Sequence, residues 1–148
     1  MLAHTLSRRR ILSGTIATLA FHFLPGCESN ERQKIDPKQI LNDLRENKTI
    51  QELRKGEITF SYKEPFSPNG KETLKLIQKG LYCLGLIKTD PNEFEGIYGN
   101  ETVRAVRYLQ AWARIEGDNG RTFNKDSLAA LEKALEAKID GRWRPPVF

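Results

Sequence analysis

Histidine occurs only at positions 4 and 22. Both lie in a leader-like stretch of 27 residues, so the chain beyond it carries no imidazole. That excludes His-based zinc sites, Ser-His-Asp and Cys-His catalysis, and imidazole acid–base chemistry from everything downstream. A dominant charge of one sign is missing as well. The formal charge is +5, but Arg8, Arg9 and Arg10 supply three of the positives and residues 1–26 hold no Asp or Glu. Taking those three from the 24 basic residues leaves 21 against 19 acidic ones, about +2. A chain so nearly balanced has no electrostatic footprint for nucleic acid. Nor is there a long hydrophobic run. The longest, Ile11 to Leu24, has 14 residues and is interrupted by Gly14 and His22, short of the roughly 20 that span a bilayer. Carboxylates remain, among them Glu93, Glu95, Glu101, Glu116 and Asp118. A glycosidase needs two of them across a sugar cleft, and a small helical domain offers little cleft, so they read as solvated surface. No catalytic residue, metal ligand or cofactor is expected.

The first 27 residues, MLAHTLSRRRILSGTIATLAFHFLPGC, order a polar front, three arginines and a short apolar run as an export signal does. Ser7-Arg8-Arg9-Arg10-Ile11-Leu12 resembles the twin-arginine (Tat) export motif, with Arg8 and Arg9 as the pair and Ile in place of Phe. A general secretory (Sec) signal with an arginine-rich front is the other reading. Leu24-Pro25-Gly26-Cys27 resembles a bacterial lipobox, matching at Leu24, Gly26 and Cys27 and departing at Pro25. That resemblance implies a diacylglycerol on Cys27 and a chain anchored to, not through, a membrane. A free cysteine is the alternative. Glu28 follows where inner-membrane retention has Asp, so an outer-membrane destination is favoured by the same resemblance. With Cys27 acylated, Cys83 stands alone and makes no internal disulfide. Its apolar helical setting marks it as a small buried hydrophobe.

Residues 28–36 (ESNERQKID) are polar and aperiodic, a tether. Asp36-Pro37 then predicts an N-cap and first turn, with Ile40, Leu41 and Leu44 as the stripe of a helix at about 37–46. A second short helix is predicted from Thr49 to Lys55, stopped by Gly56. EITFSY (57–62) has strand-like composition, but KEPFSPNG follows, so it reads as an extended lead-in outside any sheet. Asn69 and Glu72 look like a capping box for a helix that buries Leu74, Ile77, Leu81 and Leu84 and ends at Gly85. After a loop from Lys88 to Gly99, Asn100 is expected to cap a second amphipathic helix through Val103, Val106, Leu109 and Ala113, ended by Gly117. Asn124 caps a third, with Leu128, Leu131 and Leu135 inward, which stops before Gly141. The expectation is all-α: a small three-helix bundle with a short N-terminal helical extension.

The run Gly96-Ile97-Tyr98-Gly99-Asn100-Glu101-Thr102-Val103-Arg104-Ala105-Val106-Arg107-Tyr108-Leu109-Gln110 resembles the core motif of the peptidoglycan-binding domain-like family, D-G-x-[FY]-G-x-x-T-x-x-A-V-x-x-F-Q. Gly96, Tyr98, Gly99, Thr102, Ala105, Val106 and Gln110 match, while Glu95 replaces Asp and Leu109 replaces Phe. Upstream, LKLIQKGLYCLGL places Gln78, Leu81 and Leu84-Gly85-Leu86 as in that family's first helix. Downstream, Asn119-Gly120 through Leu131 echoes the motif more loosely, with one inserted residue and Asn124 where the family has Gly. The resemblance covers about residues 67–139. It leaves 28–66 as tether and lead-in, and 140–148 as a basic, aromatic, proline-containing tail.

The resemblance implies peptidoglycan binding without catalysis. Its candidate contacts are Tyr98, Arg104, Arg107 and Trp112, which offer stacking and hydrogen bonds to sugars or stem-peptide carboxylates; the other reading of Tyr98 is a plug folded back on the bundle. Gly96, Gly99, Thr102 and Gln110 are assigned to loop and fold: Gly96 and Gly99 for tight or left-handed backbone, Thr102 for local backbone bonding, Gln110 for loop carbonyls. Beyond the wall, an envelope protein or cell-wall enzyme is a possible partner. The other reading keeps the fold without the wall ligand, as a protein-interaction module whose partner surfaces are residues 28–66 and Arg142-Trp143-Arg144. Trp143 and Phe148 either fold back over the small core or dock on a sugar or partner.

Overall fold

Short-range capping bonds set where four of the five described helices begin. In this computed structural model, which describes residues 34–146, Asp36 Oδ1 accepts from the Lys38 N–H and Pro37 opens α1, Pro37–Glu46. Asn47 ends α1 and caps α2, Lys48–Arg54, by accepting from the Ile50 N–H at 3.0 Å. Helix α3 spans Pro68–Cys83 and starts earlier than the Asn69–Glu72 box predicts. Ser67 Oγ accepts from Gly70 N, and Pro68 sits where its missing N–H is no loss. Glu72 pairs instead with Lys75 at 3.0 Å. A 3₁₀ turn, Pro91–Glu93, breaks the next loop before α4, Asn100–Ala113. Helix α5 runs Lys125–Ile139, with Asn124 accepting from the N–H groups of Asp126 and Ser127.

Two boundaries of α4 depart from expectation. Asn100 is its first helical residue rather than its cap; Gly99 holds the cap position with no side-chain bond. Asn100 Oδ1 accepts instead from the Tyr62 hydroxyl at 2.7 Å. The helix ends at Ala113, before Gly117, because Arg114 turns left-handed at φ 57° and the Ile115 N–H closes onto the Gln110 carbonyl. Gly85 and Gly141 end their helices as predicted, at φ 80° and 77°.

The lead-in proves to be part of a sheet, contrary to the sequence reading. Phe60–Ser61 (β1) pairs antiparallel with Thr122–Phe123 (β2), Phe60 opposite Phe123. Both phenylalanines are buried in the common core, and Phe60 stands edge-on to Phe66 at 5.1 Å between ring centres.

Among the described residues five helices share one apolar core. The class is all-α as expected, and the two helices of the N-terminal extension pack into the same core as the other three. Leu44, Ile50 and Leu53 are fully buried alongside Leu74, Ile77, Leu81, Leu109 and Leu131, so residues 37–54 complete the core instead of leading to it. The tail also folds back. Trp143 is buried, donates from Nε1 to the Leu84 carbonyl at 2.8 Å, and stands edge-on to Trp112 and Tyr108. The export segment with Arg8, Arg9 and Cys27, residues 28–33 of the tether, and Phe148 lie outside the described residues.

Candidate functional site

The motif residues around the start of α4 divide into a buried frame and an exposed face. Gly96 belongs to the frame: at φ 72° it packs on α3, and a Cβ there would fall 2.8 Å from the Lys71 carbonyl oxygen. Gly99 is different. Its backbone is extended (φ −101°, ψ −169°) and the space around it is open, so neither conformation nor packing demands glycine there. Tyr98, expected among the ligand contacts, is 1% exposed and donates its hydroxyl to the Gly120 carbonyl at 2.6 Å. Burial, with Asp118 acting the same way, pushes its phenol well up, so it stays a donor. It is a plug in the core, not a surface for a ligand.

Gln110 satisfies loop groups as expected, and does so completely. Its Nε2 donates to the Thr122 carbonyl and Ser127 Oγ, and its Oε1 accepts from Gly120 N. Gly120 itself, at φ 86°, lies so close to the Val103 carbonyl and Arg107 backbone that a Cβ would not fit. Thr102 does not bond to local backbone; its hydroxyl accepts from Gln78 Nε2 at 3.0 Å across α3 and α4.

The exposed face of α4 carries Arg104, Arg107 and Trp112. Neither arginine is in an ion pair among the described residues. Trp112 is 36% exposed, its inner edge held by Trp143 at 5.1 Å between ring centres. Tyr108, between the arginines and Trp112 on the same helix, also meets Trp143 edge-on at 6.3 Å. Sequence reading missed this support because Tyr108 and Trp143 are 35 residues apart.

Glu101 braces the loop entering α4. It accepts from Lys88 N at 2.8 Å, from Thr89 N, and from the Thr89 hydroxyl at 2.6 Å. Burial works to raise its pKa, but these bonds and nearby Arg104 outweigh it and hold the carboxyl below its usual range. Beside it opens a pocket of about 270 Å³, bounded by the 87–97 loop and the first turn of α4. Cys83 is buried, donates to the Ile35 carbonyl, and has its pKa raised chiefly by burial, the state of an inert thiol. Among the described residues no helix is long and apolar enough to cross a membrane, and no three metal-ligating side chains cluster.

Comparison of the chain with protein-family models, with curated proteins and with solved structures gives no match.

Proposed function

We propose that this chain is a non-catalytic cell-envelope protein that binds peptidoglycan, exported by its N-terminal signal and held at a membrane, the outer one favoured, through lipid on Cys27. In this reading α3, α4 and α5 are the three-helix unit of the peptidoglycan-binding type, extended by α1 and α2. The observation that carries it is the outer face of α4. Arg104 and Arg107 stand exposed one turn apart, without an ion-pair partner, on the helix that also presents Trp112. Guanidinium groups bond carboxylates in a fork geometry, and an indole fixed along one edge offers its remaining surface to a sugar ring. A wall polymer with glycan rings and peptide carboxylates matches both.

The test is co-sedimentation of the full chain, in mild detergent, with protein-free sacculi, beside Arg104→Ala/Arg107→Ala. Both side chains are exposed, so the variant should keep its stability within about 0.5 kcal/mol. The expected result is pelleting of the parent and loss of at least about tenfold in the variant, the scale of losing charge-assisted bonds. Equal pelleting would remove the arginine face from the binding surface. A parent that stays in the supernatant would overturn wall binding.

A further inference from the structure

The pocket at the start of α4 has unused bonding capacity of two opposite kinds. Gln78, 5% exposed, donates from Nε2 to the Ile97 carbonyl at 2.9 Å and to Thr102 Oγ1 at 3.0 Å. Gln78, Ile97 and Thr102 all line the pocket. Gln78 Oε1 is buried without a hydrogen-bond partner. Exchanging the amide's O and N would set oxygen against the Ile97 carbonyl, so the acceptor is the atom left over. An unpaired buried acceptor costs about 1–3 kcal/mol. On the neighbouring wall, α4 opens at Gly99 with no side-chain cap, and the N–H groups of Asn100, Glu101 and Thr102 have no partner among the described residues. Those donors sit at the positive end of a helix of 14 residues.

The rim adds a second layer. Glu93 and Glu95 are exposed carboxylates, Phe94 is half-buried, and Ile97 is 57% exposed. No basic side chain lines the pocket. The molecule also shows what completes such an amide. At the start of α5, Gln110 makes the same two donations, to a loop carbonyl and to the hydroxyl of the third helical residue, and its Oε1 receives an N–H from Gly120. What Gln78 lacks is therefore a nitrogen donor.

A ligand that fills the site brings an N–H donor of positive charge, a carboxylate within reach of three backbone donors, and a short apolar stem. An α-amino-acid head on an aliphatic chain has all three. We infer that this pocket takes the free amino-acid head of the diamino acid in a peptidoglycan stem peptide, such as the distal end of diaminopimelate. Its carboxylate lies on the N–H groups of residues 100–102. Its ammonium bonds Gln78 Oε1 and faces Glu93 and Glu95, and its methylenes lie on Phe94 and Ile97. The inference rests on the wall-binding reading and sharpens it: the pocket reads peptide, not glycan.

The experiment is calorimetric titration of the full chain with the soluble tripeptide L-Ala-γ-D-Glu-meso-diaminopimelate. The same peptide ending in L-lysine, and the diaminopimelate peptide with its amine acetylated, serve as competitors. Diaminopimelate should bind at least about tenfold more tightly than either, since each lacks one charged half of the head. Two variants test the walls. Glu93→Gln/Glu95→Gln keeps the fold and should weaken the tripeptide about tenfold. Gly99→Asp places a carboxylate on the helix N–H groups and should abolish binding while the unfolding midpoint rises. Equal affinity for the three peptides, or indifference to Gly99→Asp, overturns the assignment. If sacculi pellet the chain but the tripeptide does not bind, this inference alone falls; if neither binds, it falls together with wall binding.

Discussion

Two buried glutamines, one turn-and-loop apart in design, end differently. Gln110 and Gln78 each tie their helix to the loop beyond and to a hydroxyl at the third residue of the next helix, Ser127 in α5 and Thr102 in α4. Around Gln110 every polar atom is matched, and Asn124 caps the following helix. Around Gln78 one oxygen is orphaned, and Gly99 leaves the following helix uncapped. One half of the bundle is closed by its own backbone. The other keeps both an acceptor and donors in reserve. Closure of this kind stabilises, and incompleteness at a concave surface is the signature of a site.

The comparison breaks most visibly at the amides themselves. Gln110→Met leaves Gly120 N and the Thr122 carbonyl unpaired, Ser127 Oγ keeping its bond to Asn124 Oδ1, and should cost about 3 kcal/mol. Gln78→Met strands only Thr102 Oγ1, since the Ile97 carbonyl keeps the Gly99 N–H, and it also removes an orphan, so it should cost only about 1 kcal/mol. Urea unfolding of both variants reads the difference; equal losses would show that the two seams are energetically alike. The caps come next. Gly99→Asp supplies what Asn124 already has and stiffens the unfolded chain, for a gain of about 0.5–1 kcal/mol. Asn124→Gly should lose a few tenths of a kcal/mol, about the difference between those caps. Thermal unfolding should therefore move in opposite directions for the two. The smallest effect is in acid. Because Glu101 titrates below its ordinary 4.5 in the folded chain, its contribution is intact above that value and is lost as pH falls through the lower, folded one. Stability of the parent should drop more steeply below about pH 4.5 than that of Glu101→Gln; parallel curves would detach the Lys88–Thr89 brace from stability.

Periodicity alone made α3, α4 and α5 legible, since their stripes of leucine, isoleucine and valine repeat at helical spacing over three turns or more. Boundaries were harder where two capping residues compete: Ser67 with Asn69, Gly99 with Asn100. In each case the helix extends to the earlier candidate. The β1–β2 ladder could not be read, being two residues long with its partner beyond two helices. Of the site, Arg104, Arg107 and Trp112 lie on the surface where the helical repeat puts them. Tyr98 stays between two readings in the sequence because an aromatic between two glycines looks the same whether it plugs a core or meets a ligand; its burial and its bond to Gly120 decide for the plug. The reserve at Gln78 was invisible because it consists of a bond that is not made.

The indole bond from Trp143 to Leu84 also orders events in time. It joins two points 59 residues apart, and contacts of such separation form late, after the intervening helices have found their places. While residue 143 is still being synthesised, Tyr108 and the inner edge of Trp112 lack their cover and the Leu84 carbonyl lacks its donor. The aromatic edge of α4 thus takes its final setting only once residue 143 is in place to close on Leu84.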